Sequence, residues 1–360
     1  MAERRLRVLL VAGETDGGIG RHVAELARLL GDHGVAATVC GPGSALAAVG
    51  ESPGVELHEL AGGSDPVALL SARRTVGSLA RDVDVVHAHG LRAGIVAGGR
   101  AASTPLVVTW HNAPLVTGAA RVAHAAASRY VARRATLVLG ASEDLTELAR
   151  RYGADEARTT FVVAPALAPA SRSREEVRAE LGIGSRPMVL AVGRLQAQKR
   201  LDVLVAAAAR WAGQSAGPVV AIAGSGPDEA MLRSMAAERD APVVLLGARD
   251  DVADLLSAAD VVALPSAWEA RSLVAQEALR AGVPLVTTPV GGLPDLIGDA
   301  GILVPAGDSD ALGEAIDRVL AEKSLGRTLS QAGQRQASTW PTAEAAVAEL
   351  AATYLSLVGR

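Results

Sequence analysis

The strongest constraint on the fold is a rhythm. Short Val/Leu-rich runs alternate with Ala-rich stretches of helical character, and they do so in two successive series. The first series is "RVLLVAG", "AATVCGP", "VELHEL", "VDVVHAHG", "PLVVTWHN", "TLVLGAS" and "TTFVVAP". The second is "PMVLAVGRL", "PVVAIAGSG", "PVVLLGARD", "DVVALPS", "PLVTTPVGG" and "GILVPAG". Runs that are apolar almost throughout suit strands covered on both faces, as in parallel sheets built of βα units. Between the series, "APALAPASRSRE" holds Pro, Ala and Ser with no periodicity, which predicts a linker. A chain of 360 residues is long for one core. It reads as an α/β protein of two doubly wound domains, over residues 1–168 and 172–340. The closing "PTAEAAVAELAATYLSLVGR" (341–360) predicts a helix capped by Thr342.

Composition narrows the function. Aromatics make up 2% of the chain and net charge is −4, which argues against a general nucleic-acid binder. A single cysteine, Cys40, excludes an intramolecular disulfide framework and fits a cytoplasmic protein. No stretch reaches the roughly 18 apolar residues needed to span a bilayer, and "MAERRLRVLLVAGETD" reads as a first strand. Arg121, Arg129, Arg133 and Arg134 in "RVAHAAASRYVARRATL" form either a solvated helix face or a peripheral contact with the inner face of a membrane.

In open α/β sheets ligands lie at the carboxyl ends of the strands, and the unusual residues fall at such ends. Gly17, Gly18 and Gly20 in "GETDGGIGRHV" let the backbone approach an anion, or merely reverse the chain. Arg194 and Lys199, the latter one of only two lysines, stand between a strand and a helix expected to start near Arg200. Cations there oppose the helix dipole unless an anion is bound between them. A diphosphate would fit; two solvated surface cations are the alternative. "PSAWEARSLVAQEALRAGVP" carries Glu269 before a predicted helix and Glu277 inside it. The backbone N–H groups of Arg271, Ser272 and Leu273 would face a ligand, and Glu277 suits a ribose diol.

His111, in "VVTWHNAP", is either a hydrogen-bonding group at the site or a polar strand-end residue. His87 and His89 share a strand face, without further ligands at metal-site spacing. The "DVD" at Asp82–Asp84 reads as a surface turn.

The second half, over about residues 187–320, resembles family 4 of the retaining glycosyltransferases of the GT-B fold. The matching stretches are "VGRLQAQKRLDVLVAA", "AGSGPDEAMLRSMA", "LLGARDDVADLLSAADVVALPSAWEARSLVAQEALRAGVPLVTTPVGGLPDLI" and "GILVPAGD". "GGIGRHVAELA", "DVVHAHG" and "TWHN" match more loosely.

The resemblance implies two Rossmann-like domains facing across a deep cleft, with an acceptor-side first domain, a nucleotide-sugar-binding second domain and a final helix returning to the first. It implies that Gly18, Arg194, Lys199 and Leu273 hold the donor diphosphate. Glu277 would hold the ribose, with Ala248 and Arg249 beside the base. Glu269, Ala270, Arg271 and Ser272 would surround the donor sugar, with His111 and Glu269 at the reacting centre.

Three departures stand out: Ala270-Arg271-Ser272 replaces the family's frequent Gly-Phe-Gly, Asn112 replaces Asp after His111, and "VVAPALAP" lacks the usual Asn-Gly. The implied activity is metal-independent transfer of a hexosyl or N-acetylhexosaminyl unit from a UDP- or GDP-sugar to a hydroxyl acceptor, with retention and no cofactor. A GT-B epimerase or phosphorylase and a non-catalytic sugar-binding protein are the nearer rivals. A nicotinamide-dependent dehydrogenase needs GxGxxG and an acidic residue about 20 positions on, and "GGIGRHV" lacks that spacing.

Overall fold

The computed structural model describes residues 5–13, 18–50, 54–60, 65–99 and 103–359. They divide into two compact units, Met1–Pro165 with Pro341–Arg360, and Ala166–Trp340. Each is built on its own parallel sheet.

Unit 1 runs β1 (Leu6–Ala12), α1 (Gly18–Leu30), β2 (Val35–Gly41), α2 (Gly43–Val49), β3 (Glu56–Glu59), α3 (Pro66–Leu79), β4 (Val85–His89), α4 (Leu91–Ala97), β5 (Leu106–Trp110), α5 (Gly118–Arg134), β6 (Leu137–Gly140), α6 (Glu143–Arg151) and β7 (Ala157–Thr159). The strand order is β3-β2-β1-β4-β5-β6-β7. β1 is flanked on both sides, Leu10 pairing with Val39 and with His87, and all of β1 except Arg7 is buried. Order reverses between β1 and β4, so loops leaving their carboxyl ends diverge and open a crevice there. The core of Val8, Leu10, Val23, Leu26, Val39, Val85, Val107 and Leu137 is aliphatic. Each fully buried side chain of this kind contributes about 1.5–3 kcal/mol.

The seventh strand lies earlier than the apolar run "TTFVVAP" suggests. β6 stops at Gly140, where the chain turns into α6, and Thr160 N–H to Gly140 O (2.8 Å) is the last rung beyond β7. Val162, Val163 and Ala164 are buried but belong to no strand. Their apolarity reflects packing, which a sequence pattern does not distinguish from pairing.

Unit 2 runs α7 (Arg174–Glu180), β8 (Met188–Val192), α8 (Leu201–Ala208), β9 (Val219–Ala223), α9 (Glu229–Glu238), β10 (Val243–Gly247), α10 (Val252–Ala258), β11 (Val261–Leu264), α11 (Leu273–Arg280), β12 (Leu285–Thr287), α12 (Leu293–Ile297), β13 (Gly301–Leu303), α13 (Ser309–Ala321) and α14 (Lys323–Ser338). The order β10-β9-β8-β11-β12-β13 reverses between β8 and β11. The end of the linker is docked onto this unit: Ser171 N–H and Arg172 Nε donate to the buried Asp254 carboxylate at 2.6 and 2.9 Å.

A last helix, α15 (Ala343–Leu357), begins where Thr342 Oγ1 accepts from Ala345 N–H at 3.1 Å. Val347, Ala351 and Tyr354, spaced i, i+4, i+7, enter the core of unit 1, and Tyr354 is fully buried. Asp84, the last residue of the "DVD" turn, accepts from Arg7 N–H at 2.9 Å and so ties that turn to β1.

Candidate active site

In unit 2 the loops after β8 and β11 carry the predicted residues to the point of strand-order reversal. Lys199 lies in a single 3-10 turn, Ala197–Lys199, and α8 begins just beyond it at Leu201. Arg200 between them takes a left-handed conformation at φ 48°, uncommon for a side chain of its size. Lys199 Nζ donates to Glu269 Oε1 at 2.6 Å, and Ser266 Oγ donates to the same oxygen at 2.7 Å. The Lys199 side chain keeps 18% of its surface and that of Glu269 8%. Arg194 is exposed at the start of the loop.

The backbone around Glu269 is held from several directions. Ala267 N–H donates to Gln198 O (2.8 Å), and Gln198 Nε2 to Trp268 O (2.9 Å). Thr288 Oγ1 binds Ser266 O at 2.7 Å, and Gly292 N–H binds Glu269 O at 2.9 Å. Gly291, at φ +55°, approaches so closely that a Cβ there would lie 1.9 Å from Glu269 O. Gly224 after β9 touches Gly193 after β8 in the same manner, where a Cβ would lie 1.8 Å from Gly193 O. Backbone meets backbone at both places, and only glycine fits.

α11 begins at Leu273, with Ser272 as its N-cap accepting from Ala275 N–H at 3.3 Å. Arg271 therefore precedes the helix rather than opening it, because the Ser272 hydroxyl satisfies an inner donor and sets the boundary. Ala270, Ser272 and Leu273 are buried. Burial holds the Arg271 guanidinium below its ordinary pKa, opposed by Asp295 on α12. Glu277 is 3% exposed on α11, and its charge partly offsets the burial that lowers the pKa of Arg280. Ala248 and Arg249 follow β10. The Arg249 guanidinium is engaged by Asp251 (2.7 and 2.6 Å) and Glu180 (2.9 Å), bonds that raise its pKa.

In unit 1, Gly18 opens α1, while Gly17 lies outside the described residues. His111 follows β5 and is 8% exposed. It belongs to a cluster with His22 on α1 and His87 and His89 on β4. His89 Nδ1 and His111 Nε2 are 3.2 Å apart, with the rings stacked at 5.5 Å. His22 meets both rings edge-on at 5.7 and 5.6 Å. His87 uses Nδ1 on Tyr354 Oη (2.5 Å) and Nε2 on Thr109 Oγ1 (2.7 Å).

Burial lowers the pKa of His22 to about 4, with Glu25 opposing, and that of His87 to about 3, with His22 assisting. His89 and His111 lie well below the ordinary value for the same first cause. All four imidazoles are neutral at pH 7. Among the described residues no group of three or more His, Cys, Asp or Glu could hold a metal ion.

Sequence reasoning missed His22, Tyr354, Ser266 and Gly291. His22 lies one helical turn after Gly18, and Tyr354 completes the apolar stripe of α15, so both had a periodic signal. Ser266 and Gly291 had none beyond their places after strands.

Residues 17–165 match the family model described as glycosyl transferase 4-like domain, and 173–336 match glycosyl transferases group 1. The structure is similar to a sucrose-phosphate synthase from Thermosynechococcus elongatus, with TM-score 0.83 and 22% identity, covering 99% of this chain and 100% of that one. The chain belongs to the family 4 glycosyltransferases of the GT-B fold.

The chain is also similar to the Anabaena protein HepE in a complex with UDP and glucose, with TM-score 0.82 and 21% identity over 98% of this chain and 100% of that one. A D-inositol 3-phosphate glycosyltransferase from Salinispora arenicola is 31% identical over 71% of the chain and 64% of the relative. The Mycobacterium tuberculosis protein of the same description is 32% identical over 71% of the chain and 58% of the relative. The chain thus matches less than two thirds of the length of these relatives.

Proposed function

We propose that the chain transfers a hexosyl or N-acetylhexosaminyl unit from a UDP- or GDP-sugar to a hydroxyl acceptor, with retention of configuration. The observation that carries this is the Lys199–Glu269–Ser266 triad at the strand-order reversal of unit 2. Both donors meet Glu269 on Oε1, which leaves Oε2 to accept from a sugar hydroxyl. Arg194, Lys199 and the backbone N–H groups of Gly18 and Leu273 stabilise the departing diphosphate, electrostatic work that is usually the largest catalytic contribution. Glu277 accepts from the ribose. Arg249 has its guanidinium committed to Asp251 and Glu180, so it and Ala248 meet the base through backbone.

His111 is a neutral hydrogen-bonding group at the sugar, and displacement proceeds on the front face with the leaving phosphate taking the acceptor proton. The chemistry calls on no metal ion or organic cofactor. Unit 2 is the nucleotide-sugar side and unit 1 the acceptor side. HepE was solved with UDP and with UDP-glucose, which supports a uridine donor.

Inositol phosphates are the first acceptors to try, given the descriptions of the curated relatives. Val122 on α5 is 71% exposed beside Arg121, with Leu115 and Val116 exposed just before the helix. That patch supports peripheral contact with a membrane from the cytoplasmic side.

Calorimetric titration with UDP, GDP, ADP and NADH, without added metal, tests the donor site. One nucleoside diphosphate should bind, and binding should vanish in Glu277→Ala and Lys199→Ala. Binding of NADH alone would overturn the proposal.

A further inference from the structure

The histidine cluster of unit 1 contains one side chain that the proposed chemistry does not use. His89, the last residue of β4, is 2% exposed, and its Nε2 has no hydrogen-bond partner. His87, whose ring lies 4.2 Å away, cannot help, because Tyr354 and Thr109 occupy both of its nitrogens. His22 touches His89 edge-on without a hydrogen bond among the described residues. The polar contact His89 makes is therefore the one from Nδ1 to Nε2 of His111 at 3.2 Å. A leucine would fill the same space without stranding a nitrogen. An imidazole kept at that price has a task, and its single bond says what the task is.

We propose that His89 is a positioning residue for His111, donating from Nδ1–H to His111 Nε2 and so holding His111 in the tautomer that carries its proton on Nδ1. Two arrangements of one proton fit the contact. In the first, His89 Nδ1–H donates, its stranded Nε2 is a bare lone pair, and His111 presents Nδ1–H outward as a donor. In the second, His111 Nε2–H donates, and His89 is left with a buried N–H that bonds nothing. Orphaned buried N–H groups are rarer in folded proteins than orphaned acceptors, so the first arrangement prevails. Burial keeps both rings neutral, which removes the third possibility of a doubly protonated His111. The stack of His89 on His111, with His22 against both edges, fixes the ring planes while the bond fixes the proton. His111 then offers an oxygen of the transferred sugar a donor already aimed, rather than a ring free to flip or change tautomer.

This inference rests on His111 contacting the sugar, and the test separates the two. Nitrogen-15 NMR of the full chain with labelled histidine reports the His111 tautomer directly. Nδ1–H is expected in the native protein and in His89→Asn, whose amide sits where the imidazole Nδ1 was. A tautomeric mixture is expected in His89→Leu. Initial rates of UDP release from UDP-glucose supply the second readout. His89→Leu should lower kcat about tenfold, the low end for removing a partner that orients a functional histidine, with KM for the donor unchanged. His89→Asn should recover most of that loss. Full activity in His111→Ala would refute the role of His111 at the sugar. A slowed His111→Ala beside a fully active His89→Leu would refute the role of His89. A native His111 protonated on Nε2 would also overturn it, whatever the rates.

Discussion

Glu269→Gln separates the two demands made on Lys199. In the structure Lys199 spends its charge on Glu269 at 2.6 Å, yet the proposed chemistry needs that charge on a diphosphate. A hydrogen bond to a charged group is worth about 1.5–3 kcal/mol net. Lys199 keeps 18% of its side-chain surface in water, so the low end, about 1.5 kcal/mol, is the relevant loss. For a unit of this size each kcal/mol moves Tm by roughly 2–4 °C, so unit 2 should melt about 3–6 °C lower in Glu269→Gln.

UDP binding should move the other way. With its carboxylate partner neutralised, Lys199 gains more from the diphosphate, and about 1.4 kcal/mol returned to binding is a tenfold lower Kd. Transfer should nevertheless fall, because the anionic acceptor for the sugar hydroxyl is gone. Differential scanning and titration calorimetry on the same samples give all the terms but the rate. A double-mutant cycle with Lys199→Met should show coupling of about 1 kcal/mol or more in stability. If Glu269→Gln weakens UDP binding, Lys199 is not shared between carboxylate and phosphate and the reasoning fails.

Two further outcomes follow from the same geometry. Ordinary histidines titrate near 6.5, whereas His22 and His87 titrate near 4 and 3 in the fold and His89 and His111 also well below normal. The unfolded chain therefore takes up protons that the native one refuses as pH drops below 6.5. Stability of unit 1 present above that value is lost toward pH 4, by up to about 1.4 kcal/mol per pH unit for each histidine. Hydrogen exchange in β4 and β5 should show cheaper opening at pH 5.5 than at 7.5, and equal opening energies would contradict the assigned burial. Gly291→Ala must leave the left-handed region or push on the Glu269 carbonyl, so it should destabilise unit 2 by about 2 kcal/mol or more and weaken UDP binding. Unchanged melting and affinity would mean the "PVGG" loop does not support Glu269.

The parts of this molecule that were legible in its sequence are those whose signal is local. Apolar runs of strand length between helical stretches specify parallel sheets, because strands apolar almost throughout, such as β1, β4 and β5, are covered on both faces. Among the described residues twelve strands lie where the runs place them, and the one displaced, β7, is an edge strand of three residues, where pairing ends for want of a partner. Lys199 and Glu269 were legible because charged residues in loops after buried strands have few structural reasons to exist there. Their contact, across 70 positions, was inferred only through the ligand they would share. Ser266 was invisible, since a serine after a strand is ordinary until its hydroxyl is seen 2.7 Å from Glu269. Gly291 was invisible for a related reason: the carbonyl it must avoid belongs to a residue 22 positions earlier. Arg271 was visible as a departure from a familiar pattern, but Asp295 opposite it was not.

The two units answer the same topological opportunity with different chemistry, and the difference follows from what each would have to hold. In the proposed chemistry a leaving diphosphate carries two or more negative charges, which would suit the cations at the reversal point of unit 2, one of them held on a carboxylate. A sugar is neutral and densely hydroxylated. Formal charge beside it has a desolvation cost that only a directed bond, such as the one proposed for Glu269, offsets, whereas oriented neutral donors and acceptors match it group for group. Histidine is the one side chain that offers both a donor and an acceptor on a rigid ring, but at ordinary pKa it would be part-charged near neutrality. Burying four imidazoles together beside the ends of β4 and β5 removes that charge, desolvation acting first and the neighbouring rings adding to it at His87, His89 and His111. Tyr354 contributes to the same end from α15, occupying the ring nitrogen of His87 that would otherwise seek a proton or a water.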